Sequence, residues 1–214
     1  MNRNREIVDL LLKRGAKLQA FDSYGDSELS YAVYLGDEEI VKLLLEKKPK
    51  IESKSVLGMT AFLWAARGGY EEIGQLLLHE GADISAVDND GGTALSFATY
   101  YDHVPFIEML FKVSTDGGVS EQQTPSPSDA VEKKEDLILH SKLSIESKLE
   151  GGKTPLLIAA ANGSKEAVAI LLKNRANYEV KDDQGWTALH HATRSEGREH
   201  PFVNHHLSRC ERGK

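Results

Sequence analysis

A glycine returns in this chain every 33 residues. Gly25, Gly58 and Gly91 are spaced by that interval, and so are Gly152 and Gly185. Two residues after each stands a hydroxyl: Ser27, Thr60, Thr93, Thr154 and Thr187. An apolar segment follows every hydroxyl and closes in Ala-Val, Ala-Ala or Ala-Thr. Self-similarity at a fixed period of this size marks a repeat architecture and has to be read before any single residue. It constrains the fold more than the length of 214 residues does, because stacked units need not enclose one globular core.

Ser55 to Val87 shows what one unit is built to do. Gly58 sits in a turn that requires a positive φ angle, which glycine reaches without steric cost. Thr60 is placed to N-cap a helix by accepting a free amide hydrogen of its first turn. In the copy at Thr154, Pro155 follows directly, at the first helical position that proline favours. Ala65 and Ala66 allow a neighbouring helix to come close. Gly69 breaks the first helix, as Gly36 and Gly163 do in their copies. A second helix opens on acids (Asp37, Glu38 and Glu39; Glu71 and Glu72), which suit the positive end of its dipole. It closes in a leucine block at Leu43 to Leu45, Leu76 to Leu78 and Ile170 to Leu172, and Gly15 and Gly81 fit the stop. So short a unit cannot bury that much leucine alone, whereas stacked copies cover it.

The pattern of TPLLIAAANGSKEAVAILLKNRAN, with TALHHA later, resembles the ankyrin repeat family. The resemblance covers most of the chain outside roughly 113–131 and implies an all-α solenoid of helix-turn-helix units with short β-turn tips. It puts His190 at the motif histidine, whose ring bonds locally and ties adjacent loops. His191 falls in a bulky stripe with Tyr31, Trp64, Phe97 and Ile158, so the His-His pair is expected to be structural.

The array is irregular in three places. From Gly91 to Gly152 is 61 residues, five short of two repeats. Ile145-Glu146-Ser147-Lys148 falls under the identical Ile51-Glu52-Ser53-Lys54, which points to a fourth unit carrying a deletion. Pro125 and Pro127 are incompatible with a helix interior, so a loop interrupts that fourth repeat. The expected division is a half repeat at 1–21, repeats at 22–54, 55–87 and 88–113, and a Ser/Pro-rich loop at 114–129. A degenerate half repeat follows at 130–148, with one helix near Ala130 to His140, and the stack is expected to loosen there. A repeat at 149–181 and a partial repeat with a tail at 182–214 complete the chain. Ser114, Thr115, Ser120, Thr124, Ser126 and Ser128 make the loop a candidate phosphorylation segment. Neither end carries a clear polar cap, which is what a segment of a longer array would show.

Chemistry other than binding finds little footing. Gly151, Gly152 and Lys153 mimic the end of a phosphate-binding loop, but Ser147 stands where that motif needs glycine. His79-Glu80 lacks the second histidine of a zinc-protease motif. In the tail, His200, His205, His206 and Cys210 could supply zinc ligands, though structural sites usually use paired cysteines. No catalytic, metal or cofactor residue is assigned, and an enzyme is not expected.

A net charge of −7 disfavours a nucleic-acid backbone as partner. Cys210 is the only cysteine, which suits a reducing compartment. No apolar run reaches membrane-spanning length, so membrane insertion is not expected. A cytoplasmic or nuclear protein is the expectation. The family resemblance implies a scaffold or adaptor that binds another protein through its concave face. It places partner contacts beside the turn glycines at Tyr24, Asp26, Leu57, Met59, Asn89, Asp90, Gly92, Asp183, Gln184 and Trp186. Along the ends of the first helices it places them at Tyr34, Leu35, Arg67, Tyr100, Tyr101 and Arg194. A second possibility is a regulatory or substrate-recruiting segment of a larger enzyme, and a third is metal binding by the tail.

Overall fold

The computed structural model describes residues 3–18, 20–115 and 143–194. Ten helices occur among them, joined by turns, with isolated β-bridges and no strand. Five form an inner row: α2 (Glu28–Tyr34), α4 (Ala61–Gly68), α6 (Ala94–Tyr100), α8 (Pro155–Asn162) and α10 (Ala188–Arg194). Five form an outer row: α1 (Arg3–Lys13), α3 (Glu38–Leu45), α5 (Glu71–His79), α7 (Val104–Thr115) and α9 (Lys165–Lys173). Each helix packs on the next in its own row, and α2 to α9 also pair across the rows as α2–α3, α4–α5, α6–α7 and α8–α9. Helices this short are not stable alone in water, so the stack supplies what propensity cannot.

Local chemistry starts three of the inner helices at the caps read from the sequence. The hydroxyls of Ser27, Thr60 and Thr93 accept from the backbone N–H three residues on. Gly25, Gly58, Gly91, Gly152 and Gly185 all take φ between 72 and 80°. Gly69 and Gly163 end α4 and α8 in the left-handed conformation. Within α5, Gly74 faces the ring of Phe106, which a Cβ would approach to 2.7 Å. A mid-helix glycine costs about 1 kcal/mol against alanine. Here it lets α7 seat a fully buried phenylalanine against Phe62, ring centroids 6.0 Å apart.

The core is one continuous apolar cluster running along the array from Leu12 to Ala176. It does not loosen at the irregular step. α6 packs directly on α8 in the inner row, and α7 lies between α5 and α9 in the outer row. Asn162 in α8 donates to the carbonyl of Tyr100 at 2.9 Å, and Ser164 hydrogen-bonds Asp102 across the same seam. In the described stack α8 and α9 therefore lie directly against α6 and α7, although 61 residues separate Gly91 from Gly152. The matched tetrapeptides are nevertheless equivalent in contact. Glu52 accepts from the N–H of Asp83 at 3.0 Å, and Glu146 accepts from the N–H of Asn177 at 2.7 Å.

The backbone of Ser114 and Thr115 continues α7 past the boundary expected from sequence. The rest of the expected loop, the helix near Ala130 to His140, and the tail with His200, His205, His206 and Cys210 lie outside the described residues. At the other end, the leucine block of α1 buries only Leu12; Ile7, Leu10 and Leu11 are exposed.

Candidate functional site

Residues 33 apart on successive inner helices stand side by side, which brings Tyr34, Arg67 and Tyr100 into one line at the helix C-terminal ends. Trp64 lies one turn before Arg67 on the same face. Its ring meets Tyr34 edge-on at 5.1 Å, and Tyr31 stands 6.3 Å from Tyr34. The Arg67 guanidinium carbon sits 5.4 Å from the Trp64 ring centroid and 5.4 Å from that of Tyr101. Tyr101 packs edge-on against Tyr100 at 4.9 Å and stacks on His103 at 6.1 Å. His103 Nε2 lies 3.0 Å from the Arg67 carbonyl oxygen, which can only accept, so this nitrogen carries the proton. The result is a strip of aromatic rings around one arginine, spanning three repeats. Each cation–ring contact contributes about 0.5–2 kcal/mol according to its desolvation.

The strip is tied to the turns beneath it. The Trp64 indole N–H donates to Asp26 Oδ1 at 3.1 Å. Burial pushes the Asp26 carboxyl above its ordinary range; the Trp64 hydrogen bond opposes this, and Asp22 nearby adds to it. Tyr100 is pushed up to about 12, by burial first and by Tyr101 second, with Arg67 opposing. Tyr100 therefore stays a neutral hydroxyl at physiological pH.

The turn tips form a second line. Val56 N–H donates to the Tyr24 carbonyl at 2.8 Å, Asn89 N–H to that of Leu57 at 3.1 Å, and Asp183 N–H to that of Gly151 at 3.0 Å. Asn89 Nδ2 also donates to the Val56 carbonyl, and a Cβ on Gly58 would lie 2.7 Å from the Asn89 backbone nitrogen. At the base of three tips an aspartate gathers amide hydrogens. Asp22 accepts from Tyr24 and Asp26, Asp88 from Asp90 and Gly92, and Asp182 from Gln184 and Trp186.

The last repeat adds a buried hydrogen-bonded pair. His191 Nε2 is 2.8 Å from Asp182 Oδ2, and the Asp182 side chain has no exposed surface. Burial alone would raise the Asp182 carboxyl, but the Trp186 N–H, the His191 ring and the Gln184 N–H together hold it below its ordinary value. Trp186 packs against His191 at 5.4 Å, and Arg194 lies 4.8 Å over the Trp186 ring. Lys153, buried nearby, is lowered by burial and further by Arg194, with Asp182 opposing. His190 bonds locally to the Thr187 hydroxyl at 2.8 Å, whereas His191 both packs as a ring and hydrogen-bonds the Asp182 carboxylate.

The structure sorts the residues expected from sequence into three groups. Tyr34, Arg67, Tyr100 and Tyr101 converge on one strip, with Leu35 exposed beside Tyr34. Tyr24, Leu57, Asn89 and Asp90 are exposed on the tips, as are Asp183 and Gln184 farther along. Trp186 and Arg194 belong to the last repeat's cluster. Met59 is corrected: at 2% exposure it is core, and Gly92 is buried beside it in register. The positive-φ glycine turns the chain back, so the residue after it points toward the helix, and Asp26 at this position is engaged by Trp64.

Trp64, His103 and the Asp182–His191 pair were not singled out from sequence. Trp64 could have been found from its place one turn before Arg67. The aspartates could have been found from their constant position three residues before the turn glycine. His103 and the Asp182–His191 pair have no repeat-wide signal.

These arrangements suit recognition. Among the described residues no group of three His, Cys, Asp or Glu side chains could hold a metal, and no hydroxyl or thiol is hydrogen-bonded to His191. No described helix is long and apolar enough to cross a membrane.

A family model described as ankyrin repeats (3 copies) matches residues 29–120 and 129–204. Among curated proteins, the human transient receptor potential cation channel subfamily A member 1 is 52% identical over 42 residues. That stretch covers 20% of this chain and only 4% of the channel's length.

Proposed function

The chain belongs to the ankyrin repeat family, whose members are generally protein–protein interaction modules, and from that premise we propose that it is a scaffold or adaptor gripping a partner protein along its inner helices. In a stack of this kind the inner row and the turn tips line an extended concave surface. The observation that carries the reading is the strip of Tyr34, Trp64, Arg67, Tyr100 and Tyr101. Tyrosine, tryptophan and arginine are the residue types that dominate interface energetics. Arg67 is held between two rings before any partner arrives, so little conformational entropy remains to be lost on binding. The exposed tips at Tyr24, Leu57 and Asp90 form the rim of the same surface.

The family pattern, the packing role of His190 and His191, and the nature of the strip all favour binding over catalysis. The charge of −7 and the single cysteine favour a protein partner and a location in the cytoplasm or nucleus. The test is to replace Tyr34, Arg67, Tyr100 and Tyr101 together and measure capture of partners from the source cell. Loss of capture with an unchanged melting curve is the expected result. Unchanged capture by a folded variant would place the binding surface elsewhere.

A second reading is that the array recruits a partner or substrate for a longer protein, including an enzyme. The human channel favours it to this extent: its matching repeats are a small fraction of its length. The full reading frame around this segment decides between the two.

A further inference from the structure

Away from the inner strip, the loop after α1 and the loop after α3 enclose a groove of about 660 Å³. Lys17 enters it from the first loop, and Lys47, Lys48 and Lys50 from the second. All four are exposed, and none forms an ion pair with another described residue. The one carboxylate in the lining, Glu28, accepts the N–H of Ala20 at 3.0 Å. The floor is apolar, with Leu18, Leu29 and the exposed Phe21. Same-sign charge above a low-dielectric wall focuses the field and raises the local concentration of counter-ions.

The lysines are peculiar to this seam. Lys17 and Lys50 share a repeat position whose next occupant is Asp83, and Lys47 is followed in register by Glu80. Lys48 stands where Gly15 and Gly81 end their helices, and takes φ 51° where those glycines take 86 and 92°. A left-handed conformation costs a non-glycine residue about 1 kcal/mol or more. Arg175 does the same later at φ 64°, but between Asn174 and Ala176, with Asn177 where Lys50 stands here. Helix-dipole complementarity accounts for a basic residue after each helix. It does not account for four converging on one groove in a chain of net charge −7.

We propose that this groove binds a small ligand carrying clustered phosphate groups. Ammonium groups are compact point charges with rotatable donors that can meet several phosphate oxygens at varied angles, whereas the planar fork of arginine engages one carboxylate or phosphate in a fixed geometry. The volume falls within the range of about 300–1,000 Å³ typical of small-ligand sites. A soluble polyphosphate and a lipid headgroup are the two sources that share this chemistry.

The probe is inositol hexakisphosphate, titrated into the whole chain by calorimetry at fixed salt. One equivalent is expected to bind, with affinity falling as salt rises. Lys47→Glu with Lys48→Glu is expected to weaken binding at least tenfold. Lys173→Glu with Arg175→Glu changes net charge equally but lies outside the groove, and is expected to leave binding within twofold. Lys47→Ala with Lys48→Gly guards against misfolding, since glycine accepts the left-handed backbone, and is also expected to weaken binding. Vesicles of phosphatidylcholine with and without phosphatidylinositol bisphosphate separate the sources: tighter lysine-dependent binding to the charged vesicles assigns a headgroup, and the converse a soluble ligand. Equal weakening by both charge-reversal pairs would show diffuse electrostatics and overturn the proposal, as would no binding at low salt.

Discussion

Trp64 and Trp186 each lie beside an arginine and an aspartate, yet the two regions are held together differently. At Trp64 the tryptophan is buried, its indole N–H reaches back a full repeat to Asp26, and that carboxyl is raised by burial. At Trp186 the ring is half-buried, and the fixed point is Asp182, whose carboxylate collects two backbone N–H groups and the His191 ring and is lowered. His191 occupies the register position that Trp64 fills earlier. At the shared register position the earlier repeat uses a packed indole that reaches a neighbouring turn, while the last repeat uses a histidine bonded to its own turn aspartate. One template thus tolerates either solution, with opposite consequences for pH.

Five experiments sharpen or break this contrast. Trp64→Ala removes the largest ring from a site packed on two sides and is expected to cost about 4 kcal/mol in denaturant unfolding. Asp182→Ala leaves His191 and two amide hydrogens without their acceptor and is expected to cost about 3 kcal/mol, with faster amide exchange concentrated in α10. If exchange instead rises equally along the stack, the two regions are not separately held.

Acid provides the next test. Asp182 has a folded value below its unfolded one, so its contribution is present above the ordinary carboxylate value near 4 and disappears as pH falls through the folded value. Asp26 has the opposite shift: its ionisation opposes folding as pH rises through the raised value, and protonation relieves that cost in acid. Following His191 and Trp64 by NMR from pH 6 to pH 2, α10 is expected to fray before α4. Fraying of α4 first would contradict the assigned signs.

A smaller effect concerns caps. The Thr93 hydroxyl accepts from Ser96 N–H while Ser96 Oγ accepts from Thr93 N–H, closing a reciprocal cap. Thr154, at the same position, has a buried hydroxyl with no partner among the described residues, whereas Thr60, also followed three residues on by a leucine, accepts the Leu63 N–H. Thr93→Val is expected to destabilise by about 1 kcal/mol. Thr154→Val is expected to cost nothing, or to stabilise by up to about 1 kcal/mol, since it removes an unsatisfied polar group. The smallest signal is spectroscopic: one tyrosine should ionise near pH 12, and Arg67→Gln should move it higher, because Arg67 opposes the rise.

What could be read from the residues alone follows their physics. The glycine and hydroxyl of each turn are fixed by backbone geometry, so Gly58 and Thr60 announced the turn and the cap without any tertiary information. The strip was half legible, because Tyr34, Arg67, Tyr100 and Tyr101 lie at helix ends that the repeat places in register. Trp64 was read only as packing, since its hydrogen bond to Asp26 crosses from one unit to another. Met59 was misplaced because an inward turn after a glycine looks, in sequence, like a tip. The step at Gly91 was legible only in part. Ile145 to Lys148 matches the loop of a unit, but which helix precedes that loop in space depends on α7 packing between α5 and α9. The buried pair of Asp182 and His191 needed coordinates, since nine residues of separation carry no period.

The central claim is that a partner protein lies along the inner helices. Amide hydrogen exchange of the chain with and without a captured partner tests it most directly. Protection is expected at Tyr31 to Leu35, Trp64 to Arg67 and Tyr100 to His103, with α3 and α5 unchanged. Protection confined to the outer helices, with those three stretches exchanging as before, would contradict it.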